Sequence, residues 1–185
     1  FMQERRSYLK PGVLWITGLS ASGKTKIFKI IFLKLKKKYK NIVLLDGDKL
    51  RKKLNIRKIN SFSYLSRKKV GLKYSKICKN LINKKNYVII SVMALIKFVH
   101  TFNKKNLINY NDVYLKVPIK ELIRRDPKKI YEKFRKNKIS NVQGLDLKYD
   151  EPNNPSLKIV WKKKLTPIRI ANKILNFLEK KTNYN

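Results

Sequence analysis

The chain alternates between short, continuous apolar runs and longer segments in which apolar residues recur every three or four positions. Val13-Leu14-Trp15-Ile16-Thr17 has strand character, and behind it Ile27, Ile30, Ile31 and Leu35 mark one face of a helix. That helix fades near Lys40-Asn41. Ile42-Val43-Leu44-Leu45 then reads as a buried strand ending at Asp46-Gly47-Asp48. A polar, basic helical region follows from Lys49 to about Asn60, and Phe62-Ser63 opens a longer helix to roughly Asn83. Tyr87–Val92 and Asp112–Val117 are the third and fourth strands. Pro118 suits the first position of the next helix, where its missing N–H costs nothing. That helix ends near Arg125, and Asp126-Pro127 opens another through Lys136. Residues 137–156 carry glycine, proline and asparagine and read as an ordered loop or lid. Leu157–Val160 makes a short fifth strand. An amphipathic helix from Pro167 to Lys181 closes the chain, with Ile170, Ile174, Phe177 and Leu178 facing inward.

Strands alternating with helices predict a mostly parallel five-stranded sheet with right-handed crossovers and helices on both faces. A chain of 185 residues with no linker or repeat is expected to form one domain over 1–185. Ligands of such three-layer α/β folds bind at the carboxyl ends of the strands. The loops after Thr17, Leu45 and Val92, and the segment after Val117, therefore share one rim.

The first of these loops carries the sharpest signal. Gly18-Leu19-Ser20-Ala21-Ser22-Gly23-Lys24-Thr25 is a full G-x-x-x-x-G-K-[ST] phosphate-binding loop between a strand and a helix. Backbone N–H groups, the helix N-terminus and Lys24 converge there on one polyphosphate, ATP, and the Thr25 hydroxyl is left to hold Mg²⁺. An incidental Gly/Ser turn would leave the Lys-Thr pair unexplained. The fold expected is thus that of a P-loop NTPase of the nucleotide-kinase kind.

The formal net charge of +36 invites a nucleic-acid reading, but three features oppose it. Lysine outnumbers arginine about four to one, whereas readers of bases and phosphates lean on arginine's fork. The lysines spread along the whole chain instead of forming one patch. Lys, Asn, Ile, Tyr and Phe are abundant together, as A/T-rich codon drift would produce. No RNP-type aromatic motif is present, so no specific nucleic-acid partner is expected. A charge-steered anionic substrate fits the same balance. No run of about 18 uncharged apolar residues predicts a membrane span. The N-terminus lacks the apolar core of a secretory signal, and Phe1 ahead of Met2 is what a fragment edge would give. Cys78 is alone, which fits a reducing cytoplasmic setting. The single histidine, His100, excludes a histidine-based metal cluster and is expected at the surface.

Only eleven Asp and Glu occur, and Asp46 with Asp48, Asp126, Asp146, and Asp150 with Glu151 stand out. Capping and turn duty is expected for about half of them. Phosphoryl transfer needs charge neutralisation and positioning more than covalent chemistry. Lys24 and Mg²⁺ supply the first. Asp46 and Asp48, at the end of the second strand, face the γ-phosphate, one ordering metal-bound water and the other accepting the acceptor's proton. Arg51, three residues beyond Asp48, aims at the same place if a helix starts there, which suits an anionic acceptor.

Trp15-Ile16-Thr17-Gly18-Leu19-Ser20 and Leu45-Asp46-Gly47-Asp48-Lys49-Leu50-Arg51 strongly resemble the adenylylsulfate kinases. So do Phe62-Ser63 with Arg67, Arg125-Asp126-Pro127-Lys128-Lys129-Ile130-Tyr131, and Gly144-Leu145-Asp146 with Tyr149, Pro152 and Pro155. The order and spacing agree from about Arg5 to the last helix. The resemblance implies ATP-dependent phosphorylation of the ribose 3′-hydroxyl of adenosine 5′-phosphosulfate, in sulfate assimilation. It makes Lys24, Asp46 and Asp48 the catalytic set and Gly18 to Thr25 the ATP site. It assigns acceptor binding to Asp48, Arg51, Phe62, Arg67, Lys128 and Leu145, with Phe62 stacking on the substrate adenine. Arg135 and the loop from Asn141 to Pro155 resemble the family's mobile lid. The partner implied is a small-molecule nucleotide, with a homodimer or a sulfurylase partner left open.

Departures from the family pattern gather on the acceptor side. Ser-Phe-Ile-Ser-Pro is replaced by Ser91-Val92-Met93-Ala94-Leu95, so Ala94 takes the place of a serine that is phosphorylated in family members. Val70 stands where an asparagine contacts substrate, and Val142 where a second phenylalanine closes the adenine sandwich. The arginines usual after the Ser-Pro pair are absent between Ile96 and Asn111. Two other readings follow: a kinase for a related acceptor such as cytidine diphosphoramidate in capsule biosynthesis, and a nucleotide-binding pseudoenzyme or sulfurylase-associated domain. Retention of Lys24, Thr25, Asp46 and Asp48 argues against the last.

Overall fold

The computed structural model describes residues 7–54 and 63–183. In chain order the elements are β1 (Gly12–Thr17), α1 (Lys24–Lys38), β2 (Ile42–Asp46), α2 (Gly47–Lys53), α3 (Tyr64–Asn83), β3 (Tyr87–Val92), α4 (Lys97–Asn106), β4 (Tyr110–Lys116), α5 (Ile119–Arg125), α6 (Ile130–Arg135), β5 (Leu157–Val160) and α7 (Pro167–Asn183). The strands form one sheet in the order β2-β3-β1-β4-β5, with every pairing parallel.

β1 lies in the middle, and all six of its residues are buried. A central parallel strand is covered on both faces, so its sequence is apolar throughout instead of alternating. Leu14 and Ile16 pack with Ile27, Phe28 and Ile31 of α1 and with Ile170, Ile174 and Leu178 of α7. Val13 and Trp15 point the other way, among Val70, Tyr74, Cys78 and Ile82 of α3 and Val99 of α4. Burying each such aliphatic side chain contributes about 1.5–3 kcal/mol. These two layers hold the sheet, and the carboxyl ends of its strands form the rim.

Several expectations change. The helix expected from Lys49 to Asn60 starts two residues earlier, at Gly47, because Asp46 caps it, and α2 ends at Lys53. Residues 55–62, including Phe62, lie outside the described residues. No element was legible between Ile96 and Asn111, yet α4 occupies Lys97–Asn106. Its buried positions are Val99, His100 and Asn103, so polar residues on the inner face hide the helical period. His100 is therefore 4% exposed and not a surface residue. Its Nδ1 sits 3.3 Å from the Tyr110 hydroxyl and 3.7 Å from Asp112 Oδ2. Pro118 is the N-cap of α5, in extended conformation, one step before the position its missing N–H suggested. No described helix is long and apolar enough to cross a membrane.

Residues 137–156 form an ordered loop fixed at several points. Asp150 Oδ2 accepts from the Lys97 amide at 2.8 Å and from the Tyr64 hydroxyl at 2.9 Å, so it caps α4 and ties the loop to α3. Asp112 Oδ1 accepts from the Ser156 amide and from its hydroxyl, both at 2.8 Å, which locks the far end of the loop to β4 just before β5. Asp112→Ala removes the acceptor of a part-buried amide and a hydroxyl at once. It is expected to lower stability by about 2–3 kcal/mol in urea unfolding, and a change under about 0.5 kcal/mol would deny Asp112 this role.

Candidate active site

The phosphate loop leaves β1 at the middle of the rim and turns back into α1. Gly18 is required by crowding: a Cβ there would lie 2.8 Å from Ser22 Oγ and 2.9 Å from the Leu115 carbonyl oxygen. Gly23 caps α1 at φ +89°, in the left-handed region where a glycine costs least. Ala21 also adopts the left-handed region, at φ +61°, without that freedom. The loop is braced from outside, since the Tyr131 hydroxyl of α6 donates to the Ser20 carbonyl at 3.2 Å. Leu19 packs with Tyr131, Leu122 and Val142.

Lys24 folds back over its own loop. Its Nζ donates to the carbonyls of Gly18 and Leu19, each at 2.7 Å, and to Ser22 Oγ at 3.2 Å. Burial of the ammonium group pulls its pKa down to about 7; nearby Asp48 opposes this, Lys128 adds to it, and Asp46 opposes it. The residue as a whole stays partly exposed, so the desolvation falls on the ammonium end. These charge contacts bring together groups from the first loop, the end of β2 and the α5–α6 turn. Thr25, next in α1, is exposed at the rim.

Asp46 ends β2 opposite Ser91 of β3. Its Oδ1 accepts from the amides of Asp48 at 2.9 Å and Lys49 at 3.2 Å, which starts α2 at the rim. Gly47 allows this start, because a Cβ would lie 2.9 Å from both the Ser91 carbonyl oxygen and Val92 Cγ1. The buried Tyr74 hydroxyl donates to the Gly47 carbonyl at 2.8 Å from below. Burial pushes that phenol up to about 12, with Arg51, Asp48 and Asp46 close enough to act on it. Asp48 is mostly exposed and pairs with Lys128 from the α5–α6 turn.

Beside this cluster stands Arg67 of α3, only 7% exposed. Its Nη2 donates to the Asn141 carbonyl at 2.9 Å. Desolvation lowers its pKa to about 10; neighbouring Arg51 adds to this, and Asp146 opposes it. Asp146 in turn accepts from the amides of Asn141 at 2.7 Å and Val142 at 2.6 Å. The loop over 141–146 is thus held between two charged side chains. Leu145 turns toward the apolar cluster of Leu19, Tyr131 and Val142 beneath the loop. Val70 and Ala94 are buried in the layer under β3.

The rim therefore gathers Lys24, Asp46, Asp48, Arg51, Arg67 and Lys128. Three of the carboxylates singled out in the sequence do local work, the capping and turn duty expected for about half of the acids: Asp150 and Asp146 as above, and Asp126, which caps α6 through the amides of Ile130 at 2.8 Å and Glu132 at 2.9 Å. Sequence reasoning gave no role to Arg125 or Trp161, which meet on the other side of the phosphate loop, with the guanidinium 5.8 Å from the indole centroid. A cavity of about 660 Å³ lies elsewhere, at the amino-terminal ends of the strands among Leu9, Tyr39, Tyr87 and Tyr110. It is remote from the phosphate loop and from the clustered carboxylates.

Two predictions follow from the loop. Ala21→Gly relieves left-handed strain and is expected to raise stability by about 0.5–1 kcal/mol; a lowered melting temperature would contradict it. For Lys24, the folded pKa of about 7 lies below the unfolded value of 10.5, so the charged form opposes folding below pH 7 and this cost fades as pH rises toward 10.5. A bound polyphosphate restores the charge, so nucleotide binding at pH 8 takes up a proton. Titration calorimetry in two buffers of different ionisation enthalpy reads this as a buffer-dependent heat, and identical heats would contradict it.

Residues 10–160 match the adenylylsulphate kinase family. The chain is 37% identical over 142 residues to a cytidine diphosphoramidate kinase of Campylobacter jejuni, covering 77% of this chain and 82% of that one. It is 32% identical over 161 residues to an adenylyl-sulfate kinase of Pseudomonas aeruginosa, covering 84% and 81%. The Mycobacterium tuberculosis APS kinase CysC, solved in complex with AMPPNP and APS, superposes with a TM-score of 0.81 at 26% identity over 92% of this chain and 98% of that one. The family match takes in all five strands together with the rim they carry, and on that ground the chain belongs to the adenylylsulphate kinase family.

Proposed function

We propose that this kinase transfers the γ-phosphoryl group of ATP to a ribose hydroxyl of an anionic nucleotide, and that the acceptor is cytidine diphosphoramidate. The observation that carries the acceptor is the pair Val70 and Val142, both buried aliphatic residues. By resemblance to adenylylsulfate kinases these positions hold an asparagine that contacts substrate and a phenylalanine that closes an adenine sandwich. Stacking energy grows with overlapping π surface, so losing one aromatic face costs a purine more than a pyrimidine. The 37% identity to a cytidine diphosphoramidate kinase, against 32% to an adenylyl-sulfate kinase, points the same way. Adenylyl sulfate is the second reading, supported by the retained Asp48, Arg51 and Arg67 and by the likeness to CysC.

In this reading the phosphate loop's amides and the α1 N-terminus hold the triphosphate, and Lys24 leaves its loop carbonyls for the β- and γ-phosphates. Mg²⁺ fits the donor set: a Thr25 hydroxyl at the rim and an Asp46 carboxylate that spends only Oδ1 on α2 suit a cation that keeps several waters and takes few protein ligands. It would neutralise charge on the phosphates. The acceptor's anionic 5′ group draws on Arg51, Arg67 and Lys128. Freed from Lys128, Asp48 accepts the hydroxyl proton as the acceptor oxygen bonds to the γ-phosphorus and the bond to the bridging oxygen breaks, releasing ADP. Ala94 offers no hydroxyl for a phosphoenzyme, so transfer is direct.

ADP release measured with cytidine diphosphoramidate, adenylyl sulfate, AMP and CMP tests the acceptor. The expected kcat/KM for cytidine diphosphoramidate exceeds that for adenylyl sulfate at least about tenfold, a difference of about 1.4 kcal/mol. Preference for adenylyl sulfate would overturn this in favour of the second reading, and no acceptor-dependent ADP would favour a pseudoenzyme. Asp48→Asn is expected to slow single-turnover transfer at least about a hundredfold while leaving nucleotide binding intact. Full activity would show that the proton leaves by another route.

A further inference from the structure

The loop that carries Val142 and Leu145 ends in a stretch tied to α4. Asp150 accepts from the first amide of that helix, at Lys97. About two turns on, Lys104 Nζ donates to the carbonyls of Asn153 at 3.1 Å and Asn154 at 2.8 Å. Between these ties stands His100, with its ring buried against β4. There Asp112 is 1% exposed and divides its carboxylate. Oδ1 is spent on Ser156, where the loop ends, and Oδ2 lies 3.7 Å from His100 Nδ1 with no hydrogen-bond partner among the described residues. One carboxylate thus joins α4 to the end of the loop. At 3.7 Å the contact is too long for a hydrogen bond, but a charge on the ring acts strongly across it in so buried a place. His100 Nε2 and both side-chain polar atoms of Asn103 also lack partners among the described residues. Leucines at these two positions would fill the layer without that cost, so packing does not account for the polar pair.

We infer that His100 is a positioning residue: carrying a proton beside Asp112, it holds that carboxylate on Ser156 and so keeps the acceptor loop docked on β4. Removing the proton leaves Oδ2 a buried charge with no counter-ion in contact, and the tie to Ser156 weakens. The latch is tight at low pH and loosens as pH rises through the range in which imidazoles deprotonate. The other titratable groups facing the ring sit outside that range. β4 presents Tyr110, whose hydroxyl is 3.3 Å from the same Nδ1 and whose pKa burial drives well above the usual phenol value. α3 presents Cys78 and Tyr74 to the same layer, both pushed up to about 12 by burial. β1 presents Trp15, which does not titrate. Burial raises the Asp112 pKa, but His100, Ser156 and Lys104 outweigh it and hold the carboxyl below its usual value. Lys104, on α4 itself, is thus a second positive charge acting on Asp112. The inference rests on the reading of this chain as an ATP-dependent kinase, but not on which acceptor it uses.

Two variants separate this role from packing. His100→Leu fills the layer without a charge, and His100→Asn sets a neutral donor near the place of Nδ1. With whichever nucleotide the enzyme phosphorylates, His100→Leu is expected to raise the acceptor KM about tenfold, with kcat and the KM for ATP within about twofold of the wild type. The ratio of the two acceptor KM values falls as pH rises, because the wild type loses a charge that leucine never had. His100→Asn recovers most of the affinity and lacks the wild-type pH trend. Hydrogen exchange at the Ser156 amide reads the latch without any acceptor, and is expected to quicken about tenfold in His100→Leu at one fixed pH. An unchanged Ser156 amide overturns the inference, as does an equal quickening of the β1 and β3 amides, which marks a general loss of stability. A faster Ser156 amide with an unaltered acceptor KM, or a KM ratio constant with pH, overturns it too. If no nucleotide is phosphorylated, the kinase reading fails, and Ser156 exchange alone decides the latch. Should His100→Leu not fold, His100→Asn decides: a pH trend in acceptor KM equal to that of the wild type overturns the inference.

Discussion

The parallel pairing of β1 with β3 on one side and β4 on the other is the constraint on which the rest depends. It buries β1 on both faces and brings its carboxyl end out at the centre of the rim. There the chain has no room for a side chain at Gly18, hemmed in by Ser22 and the Leu115 carbonyl. The backbone must turn tightly, and the Ser22 amide closes the turn on the Leu19 carbonyl at 3.3 Å. The register then sets Asp46 beside Ser91 on one side and Trp161 beyond Lys116 on the other. Strand order alone thus separates the carboxylate-bearing side of the rim from the side above β4 and β5.

The charged groups of the rim have partners within the protein. Lys24 rests on two carbonyls of its loop, Lys128 on Asp48, and Arg67 on the Asn141 carbonyl near Asp146. Binding is therefore an exchange of partners. A ligand must bring enough negative charge to draw Lys24 off its carbonyls and Lys128 off Asp48, which suits a triphosphate on one side and an anionic nucleotide on the other. In the proposed reaction the second exchange also releases the carboxylate that takes the proton, so that preparation of the base and recognition of the acceptor are the same event. The excess of lysine over the whole surface adds a long-range attraction for both substrates, weakened by salt.

Much of this was legible in the chain because it is local. Continuous apolar runs give buried parallel strands, and the glycine pattern ahead of Lys24-Thr25 has one conformational meaning. Asp46, Asp48 and Arg51 lie within one short turn-and-helix segment. What escaped is what depends on distant packing. α4 went unread because His100 and Asn103 sit where apolar residues would have marked a period, and His100 does so beside Tyr110 and Asp112 of β4. Asp126 and Asp146 stood out in the sequence without a role of their own, and each does the capping and turn duty expected for about half of the acids, Asp146 for residues that precede it. Arg125 and Trp161 are 36 positions apart, and only the β4–β5 pairing brings them to the same side of the phosphate loop.

The central claim is that donor and acceptor occupy separate halves of one rim, so that the phosphoryl group passes directly between them. Initial-rate kinetics, with ATP varied at several fixed concentrations of the accepted nucleotide, test this most directly. Both substrates bound together give intersecting double-reciprocal lines. Parallel lines, the mark of a phosphoenzyme formed before the acceptor binds, would contradict the account.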